Sequence, residues 1–199
     1  ELRRICEDNE MLLIFDEVQT GVGLTGKFWA HEHFGVEPDL ISFGKKTQVC
    51  GVLAGPKLDE VAENVFRQSG RISSTFGGSL VDMVRCKHIL SVIEDEGLVA
   101  RADELGQWLL KAIQDLAAEF PGQVTNPRGL GLMCAFDLPD GETQQAFIQA
   151  MFENKVLLAP CGTSTIRLRP HLVVERSELE RALELMRQTL NRLARPKAA

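Results

Sequence analysis

An aspartate and a lysine, two side chains that can act in acid–base and nucleophilic chemistry, each follow a short apolar run. Asp16 follows residues 11–15 (MLLIF), and Lys45 follows residues 40–44 (LISFG). Ligands of open parallel sheets bind outside the carboxyl ends of the strands, so two such strands would bring both side chains to one site. A lysine that can lose its proton and an aspartate that keeps its charge suit pyridoxal phosphate, which needs an amine and an acid partner for its ring nitrogen.

Each of these residues also has an ordinary structural explanation. Asp16 is equally typical of a helix cap or a solvated strand end, and Lys46 competes with Lys45 as its direct neighbour. Strand alternation lets only one of two adjacent lysines point into a crevice. A reactive lysine needs burial or nearby positive charge, and Gly44 with the apolar run before it predicts burial of Lys45. The glycines at 21, 23 and 26 lack the spacing of a phosphate-binding loop.

Three further side chains are candidates for binding anionic groups. Arg167 and Arg169 lie on one face of a predicted strand. They are either an exposed pair that balances acids or a fork for a substrate carboxylate. Thr75 lies in a stretch rich in glycine and hydroxyls, and it is either a plain loop residue or a donor to a phosphate. The four histidines are far apart and show no ligand pattern, so we treat them as structural and expect no metal site.

The composition excludes several classes of function. The chain has 199 residues, of which 44% are hydrophobic and 25% charged, an ordinary globular profile. Its net charge of -6 and scattered basic residues argue against a nucleic-acid partner. No apolar stretch reaches the length of a membrane span. The five cysteines are widely spaced, so we expect reduced thiols in a cytoplasmic protein.

The order of elements predicts an α/β fold that changes character near residue 97. In the first part we expect a strand at 11–15 covered on both faces and a helix at 80–94 buried on one side. The chain starts at Glu1 in what reads as the end of a helix, so we expect it to be the carboxyl part of a longer protein. We predict two domains, residues 1–97 and residues 98–199.

The second part reads as a smaller α+β layer. Its predicted elements are a helix at 98–120, a turn at 126–131, a strand at 132–138, a helix at 143–154 and strands at 155–159 and 165–169. Ser177 and Glu180 have the spacing of a capping box and predict the start of the last helix.

Several runs of sequence together resemble a known family. They are DEVQTG at 16–21, TGKFWA at 25–30, PDLISFGK at 38–45, STFGG at 74–78, RGLG at 128–131 and IRLRP at 166–170. These runs are similar to the class III pyridoxal-phosphate aminotransferases, which are fold type I enzymes that include ornithine and 4-aminobutyrate aminotransferases. The resemblance covers essentially the whole chain. The run GKKTQVCG at 44–51 is most similar to the branch of the family that acts on L-lysine.

The resemblance implies a fold and a role for each candidate residue. The fold is the second half of a fold type I large domain, with a mostly parallel sheet, followed by a small α+β domain. Lys45 matches the Schiff-base lysine, Asp16 the acid at the pyridine nitrogen, and Gln19 the glutamine beside the ring hydroxyl. Thr75 matches a threonine that reaches the cofactor phosphate of the partner subunit, which implies a homodimer. Arg167 matches the arginine that binds the α-carboxylate of glutamate or 2-oxoglutarate.

The implied reaction moves the 6-amino group of L-lysine to 2-oxoglutarate and gives 2-aminoadipate 6-semialdehyde and glutamate. Ornithine and 4-aminobutyrate remain alternative donors, because donor choice depends on residues outside this sequence. A non-catalytic relative that keeps the fold is a further alternative. The presence of Lys45, Asp16, Gln19 and Arg167 together argues against it.

Overall fold

The chain folds into two compact units that mix helices and strands. The computed structural model describes residues 1–72 and 74–194, so residue 73 of the predicted loop and the last five residues of the predicted second domain lie outside the described part. The first unit comprises residues 1–23 and 27–99, and the second comprises residues 24–26 and the chain from Ala100 onwards. Within the described ranges, no helix has the length and apolar character needed to cross a bilayer.

The first unit contains a three-stranded sheet and two α-helices. Its strands are β1 (Ile14–Asp16), β2 (Leu40–Phe43) and β3 (Gly51–Ala54), and its helices are α1 (Leu2–Asp8) and α2 (Leu80–Asp95). Short 3₁₀ helices occupy Ala30–Phe34 and Pro56–Glu60. Strand β2 pairs in parallel with β1 and antiparallel with β3. The parallel pairing places the carboxyl ends of β1 and β2 side by side, as the sequence predicts.

A buried aspartate joins the amino ends of β1 and β2. The Asp39 carboxylate accepts a hydrogen bond of 2.7 Å from the backbone N–H of Leu13 and one of 2.9 Å from the Arg3 guanidinium. Burial alone would raise the pKa of Asp39, but these hydrogen bonds and the charge of Arg3 outweigh it and lower the pKa. The charged form of Asp39 therefore stabilises the end of the sheet opposite to Asp16.

Two burial predictions for this unit are wrong. Strand β1 is shorter than the apolar run that predicts it, and Ile14 is 61% exposed. Ile14 and Asp16, on one face of β1, are both exposed, whereas Phe15 on the other face is partly buried, so the described residues cover only one face of the strand. Helix α2 forms where expected, but Ile93 is its one buried residue among those described, while Leu80 and Val81 are 81% and 74% exposed.

The second unit is a four-stranded antiparallel sheet with helices packed against one face. The strands are β4 (Thr125–Leu130), β5 (Met133–Asp137), β6 (Ala159–Cys161) and β7 (Thr165–Leu168), in the order β4-β5-β7-β6. The helices are α3 (Leu98–Glu119), α4 (Gly141–Glu153) and α5 (Arg176–Leu193). Alternate residues of β5 and β7 are buried, so one face of the sheet lies against the core and the other stays open.

The core of this unit is well filled. Phe136 of β5 and Phe147 of α4 are fully buried and meet edge to face, with ring centroids 6.1 Å apart. Leu109, Ile166 and Met186 bring α3, β7 and α5 into the same cluster. Burial of one such side chain contributes about 1.5–3 kcal/mol, so this core fixes the sheet and the residues on its open face.

Three local predictions for this unit are wrong. The predicted turn at 126–131 is strand β4, whose pairing with β5 shifts register between Thr125 and Arg128. The predicted strand at 155–159 is not formed, and β6 begins only at Ala159. Helix α5 is capped by Glu175 and Glu178, two residues earlier than the Ser177 and Glu180 pair. The strand at 165–169 and the helices at 98–120 and 143–154 are confirmed within a few residues.

Candidate active site

The carboxyl ends of β1 and β2 bring an acid and an amine to one edge of the sheet in the first unit. Asp16 is the last residue of β1 and pairs with Ser42 of β2. Its Oδ1 accepts hydrogen bonds from the Ser42 hydroxyl (3.1 Å) and the Val18 backbone N–H (3.0 Å). Oδ2 accepts none from the described residues, and the side chain is exposed. The carboxylate is thus oriented through one oxygen, and the other can accept from a ligand.

Lys45 and Lys46 lie in the turn after β2 and differ in their contacts. The ammonium of Lys46 donates to the backbone carbonyls of Gln19 (2.6 Å) and Gly21 (2.8 Å). Among the described residues, the Nζ of Lys45 makes only a long contact of 3.4 Å, to Oε1 of Gln19. Lys46 is therefore committed to the loop, and Lys45 is the better candidate for a reacting amine.

Neither burial nor strand alternation selects Lys45 over Lys46 in the structure. Lys45 is exposed, so the predicted burial of its side chain is wrong for the described residues. Strand alternation does not apply either, because β2 ends at Phe43 and both lysines belong to the turn. Hydrogen bonding, rather than burial or alternation, separates the two side chains.

Glu17 is a buried residue of this loop that sequence reasoning missed. Its side chain is only 3% exposed. The carboxylate accepts from the Thr20 hydroxyl (2.7 Å) and from the backbone N–H groups of Ala30 (2.9 Å) and His31 (2.8 Å). It therefore fixes both the loop that carries Gln19 and the start of the first 3₁₀ helix. The signal in the sequence is weak, because these last two partners lie 13 and 14 positions away.

Thr75 does not join this group in the described structure. It lies in an exposed turn before α2. No hydrogen bond or ion pair among the described residues links it to Asp16, Gln19 or Lys45.

Arg167 lies in the second unit, on the open face of the four-stranded sheet. It makes no hydrogen bond or ion pair with any described residue, and its Nε is buried without a partner. Leaving a buried donor unpaired costs about 1–3 kcal/mol, so this guanidinium is suited to an external acceptor. It lines a cavity of about 460 Å³ together with apolar residues that include Leu158 and Met186. Arg169 lies beyond the end of β7 and is exposed.

The described residues contain no cluster of three or more histidine, cysteine, aspartate or glutamate side chains that could hold a metal ion. His31, one of the histidines treated as structural, makes a hydrogen-bond contact of 3.0 Å between Nδ1 and the Val36 carbonyl. Four of the five cysteines have exposed or partly exposed side chains, and all five are free. Burial raises the pKa of the fifth, Cys134, to about 12, which keeps it an inert thiol.

Comparison with known proteins gives one consistent result. The family profile "Aminotransferase class-III" matches residues 1–190. The L-lysine-epsilon aminotransferase of Mycobacterium tuberculosis is 49% identical over 189 residues, which are 95% of this chain and 42% of that protein. The enzyme of the same name from Streptomyces clavuligerus is 45% identical over 194 residues, or 97% of this chain and 42% of its own length.

The solved structures agree with the sequences. A lysine aminotransferase from M. tuberculosis superimposes with a TM-score of 0.93 at 48% identity, covering 97% of this chain and 44% of that one. This chain therefore spans less than half the length of the relatives that it matches. On the match over residues 1–190 and these identities, the chain belongs to the class-III aminotransferases.

Proposed function

We propose that the protein that carries this chain is a pyridoxal-phosphate-dependent aminotransferase. It moves the 6-amino group of L-lysine to 2-oxoglutarate, and the products are 2-aminoadipate 6-semialdehyde and glutamate. The observation that carries the proposal is the pairing of Lys45, whose amine is nearly unengaged, with Asp16, which keeps one carboxylate oxygen available at the adjacent strand end. The two L-lysine-epsilon aminotransferases that are 45–49% identical to this chain support lysine as the donor.

The side chains at the strand ends fit the functional groups of this cofactor. Oδ2 of Asp16 can accept from a protonated ring nitrogen, and Nζ of Lys45 can bind the aldehyde carbon. Gln19 contacts Lys45 through Oε1, so its Nε2 can donate to the ring hydroxyl oxygen. When bound, pyridoxal phosphate supplies an electron sink for charge left on the substrate carbon.

Within that reaction the residues of this chain have distinct tasks. Asp16 keeps the ring nitrogen protonated through a charge-assisted hydrogen bond. The amine of Lys45, displaced by the substrate amine, moves a proton on and off the substrate carbon as general base and acid. Arg167 holds the substrate α-carboxylate through two N–H groups. Thr75 donates to the cofactor phosphate of the partner subunit, so the active form is a homodimer.

Two further assignments belong to this proposal. Residues 1–97 are part of the cofactor-binding large domain, and residues 98–199 form the small domain that carries Arg167. The enzyme is cytoplasmic, which suits a chain whose cysteines are free.

The test compares Lys45→Ala with Lys46→Ala in the full-length protein. We expect the Lys45 variant to lose the visible absorbance of bound cofactor and at least about 10³-fold in turnover, because the amine is the reacting group. The Lys46 variant keeps the absorbance at saturating cofactor, since its amine bonds the loop carbonyls and is not the reacting group. Substantial turnover in the Lys45 variant would contradict the assignment of the amine.

A second measurement tests the donor. Aldehyde formation is followed from L-lysine, ornithine and 4-aminobutyrate, each with 2-oxoglutarate as acceptor. The proposal expects the highest kcat/KM for L-lysine. A higher value for either other donor would replace lysine in the proposal and would leave the aminotransferase assignment in place.

A further inference from the structure

The open face of the four-stranded sheet carries two arginines and one acid in a defined register. Arg128 of β4 pairs with Ala135 of β5, and Ala135 pairs with Arg167 of β7. One step along the same face, Asp137 pairs with Thr165. This register places Asp137 diagonal to Arg167. Diagonal neighbours across antiparallel strands are about 7–8 Å apart, which is within reach of long side chains.

Asp137 is already bound by residues other than Arg167. Its Oδ1 accepts from the Arg128 guanidinium (2.9 Å) and the Thr165 hydroxyl (2.6 Å), and its Oδ2 accepts from the Asn126 amide (2.8 Å). Partial burial would raise the pKa of Asp137, but the bonds from Thr165, Arg128 and Asn126 outweigh it and lower the pKa. The carboxylate is therefore charged, and its charge is matched by Arg128.

Asp137 is also the one acid on the four described strands of this sheet. It is thus the strand residue that could compete with a substrate carboxylate for Arg167. The Arg167 guanidinium, by contrast, has no hydrogen-bond or ion-pair partner within the described ranges. The difference between the two arginines follows from the position of Asp137, which is bound to one of them and not to the other.

We propose that Arg128 is a positioning residue that binds Asp137 and thereby keeps Arg167 open to the carboxylate of a substrate, which rests on the role of Arg167 in the proposed function. Without the positive charge of Arg128, Asp137 turns to the diagonal guanidinium of Arg167. A dicarboxylate must then displace an ion pair made within the sheet. Arg128 itself touches neither substrate nor cofactor.

The test is the binding of glutarate, an unreactive dicarboxylate, to the full-length, cofactor-loaded protein by isothermal titration calorimetry. We expect Arg128→Met to raise the dissociation constant about tenfold, equivalent to about 1.4 kcal/mol. The KM for 2-oxoglutarate rises by a similar factor, while kcat at saturation is unchanged. The double variant Arg128→Met/Asp137→Asn removes the competing anion and returns glutarate binding to within about twofold of the parent protein.

Two controls separate this effect from a loss of folding. Arg128→Lys keeps a positive charge beside Asp137 and should bind glutarate like the parent protein. Asp137→Asn alone leaves no competing acid, so its glutarate affinity should equal or exceed that of the parent. Unchanged binding in Arg128→Met, a double variant as weak as the single one, or weaker binding in Asp137→Asn would each overturn the proposal.

Arg167→Met distinguishes this proposal from the one on which it rests. If Arg167→Met does not weaken glutarate binding, the carboxylate role of Arg167 fails, and the role of Arg128 fails with it. If Arg167→Met weakens binding and Arg128→Met does not, only the positioning role of Arg128 is wrong.

Discussion

Replacement of Gly106 by alanine sets helix propensity against packing, and we expect packing to decide the result. Gly106 is a buried residue in the interior of helix α3. In an exposed helix interior, alanine is favoured over glycine by about 1 kcal/mol. Here a Cβ would meet backbone atoms of Gly131 at a separation that real Cβ atoms do not reach. The clash involves backbone, so no side chain can rotate to relieve it.

The backbone of Gly131 has little freedom to move away. Its φ is +53°, a conformation that favours glycine, and a Cβ at Gly131 itself would meet backbone atoms of Thr25 and Gly26. The neighbouring Leu132 N–H also donates to the Leu24 carbonyl at 2.9 Å. We therefore take the upper end of the usual overpacking cost, about 3 kcal/mol. After subtraction of the propensity gain of about 1 kcal/mol, Gly106→Ala should lower the free energy of unfolding by about 2 kcal/mol.

Urea denaturation measures this change directly. Tryptophan fluorescence is a suitable signal, since Trp108 lies on the same helix and its ring faces the Arg176 guanidinium at 4.7 Å. Gln114→Gly, at an exposed interior site of the same helix, is the matched control and should cost roughly 0.5–1 kcal/mol through propensity alone. If Gly106→Ala is as stable as the parent protein or more so, the argument from backbone contact is refuted.

Three further predictions follow from single contacts. Lys46→Met removes two hydrogen bonds to the Gln19 and Gly21 carbonyls. Because Lys46 is part-exposed, we expect about 1–3 kcal/mol of destabilisation and weaker cofactor binding. Urea unfolding and absorbance titration measure these two effects, and unchanged values would contradict the loop's dependence on Lys46. The pKa of Asp39 in the folded chain is below its ordinary value of 3.8. The stability that its charge contributes is therefore complete above pH 3.8 and is lost as the pH falls through the lower folded value. Asp39→Asn should reduce the loss of unfolding free energy at acid pH, and an unchanged acid dependence would assign that loss to other groups. Cys134, whose pKa is raised to about 12 by burial, should resist alkylation at pH 8 until urea unfolds the chain, whereas early labelling would show that its site opens to solvent.

The second unit shows what residue patterns can predict. Strands β5 and β7 and helices α3 and α4 were predictable because their apolar residues follow a single period that one buried face requires. Strand β4 was missed because Pro127 and Gly129 are typical of turns. The structure accommodates them at the edge of the sheet, with a register shift before Arg128 and a positive φ at Asn126.

Burial in the first unit was harder to predict, for a physical reason. An apolar run indicates that a segment is stable when covered, but it does not specify what covers it. Ile14 and Leu80 are apolar and exposed in this chain, although both belong to elements that form close to their predicted positions. Secondary structure depends on local sequence, whereas burial depends on neighbours that the local pattern does not contain.

The loop from Asp16 to Gly21 shows why the sequence could locate the candidate site but could not predict the contacts within it. Two adjacent lysines cannot be distinguished by residue type, whereas in the structure the hydrogen bonds from Lys46 to two carbonyls distinguish them. Those carbonyls lie in place because the buried carboxylate of Glu17 accepts hydrogen bonds from Thr20, Ala30 and His31, which tie the loop to the first 3₁₀ helix. An anion held by N–H and O–H donors costs far less to bury than an unpaired one. The loop is thus fixed by Glu17 on its inner side and by Lys46 at its end, and this arrangement leaves Asp16 and Lys45 available for a ligand.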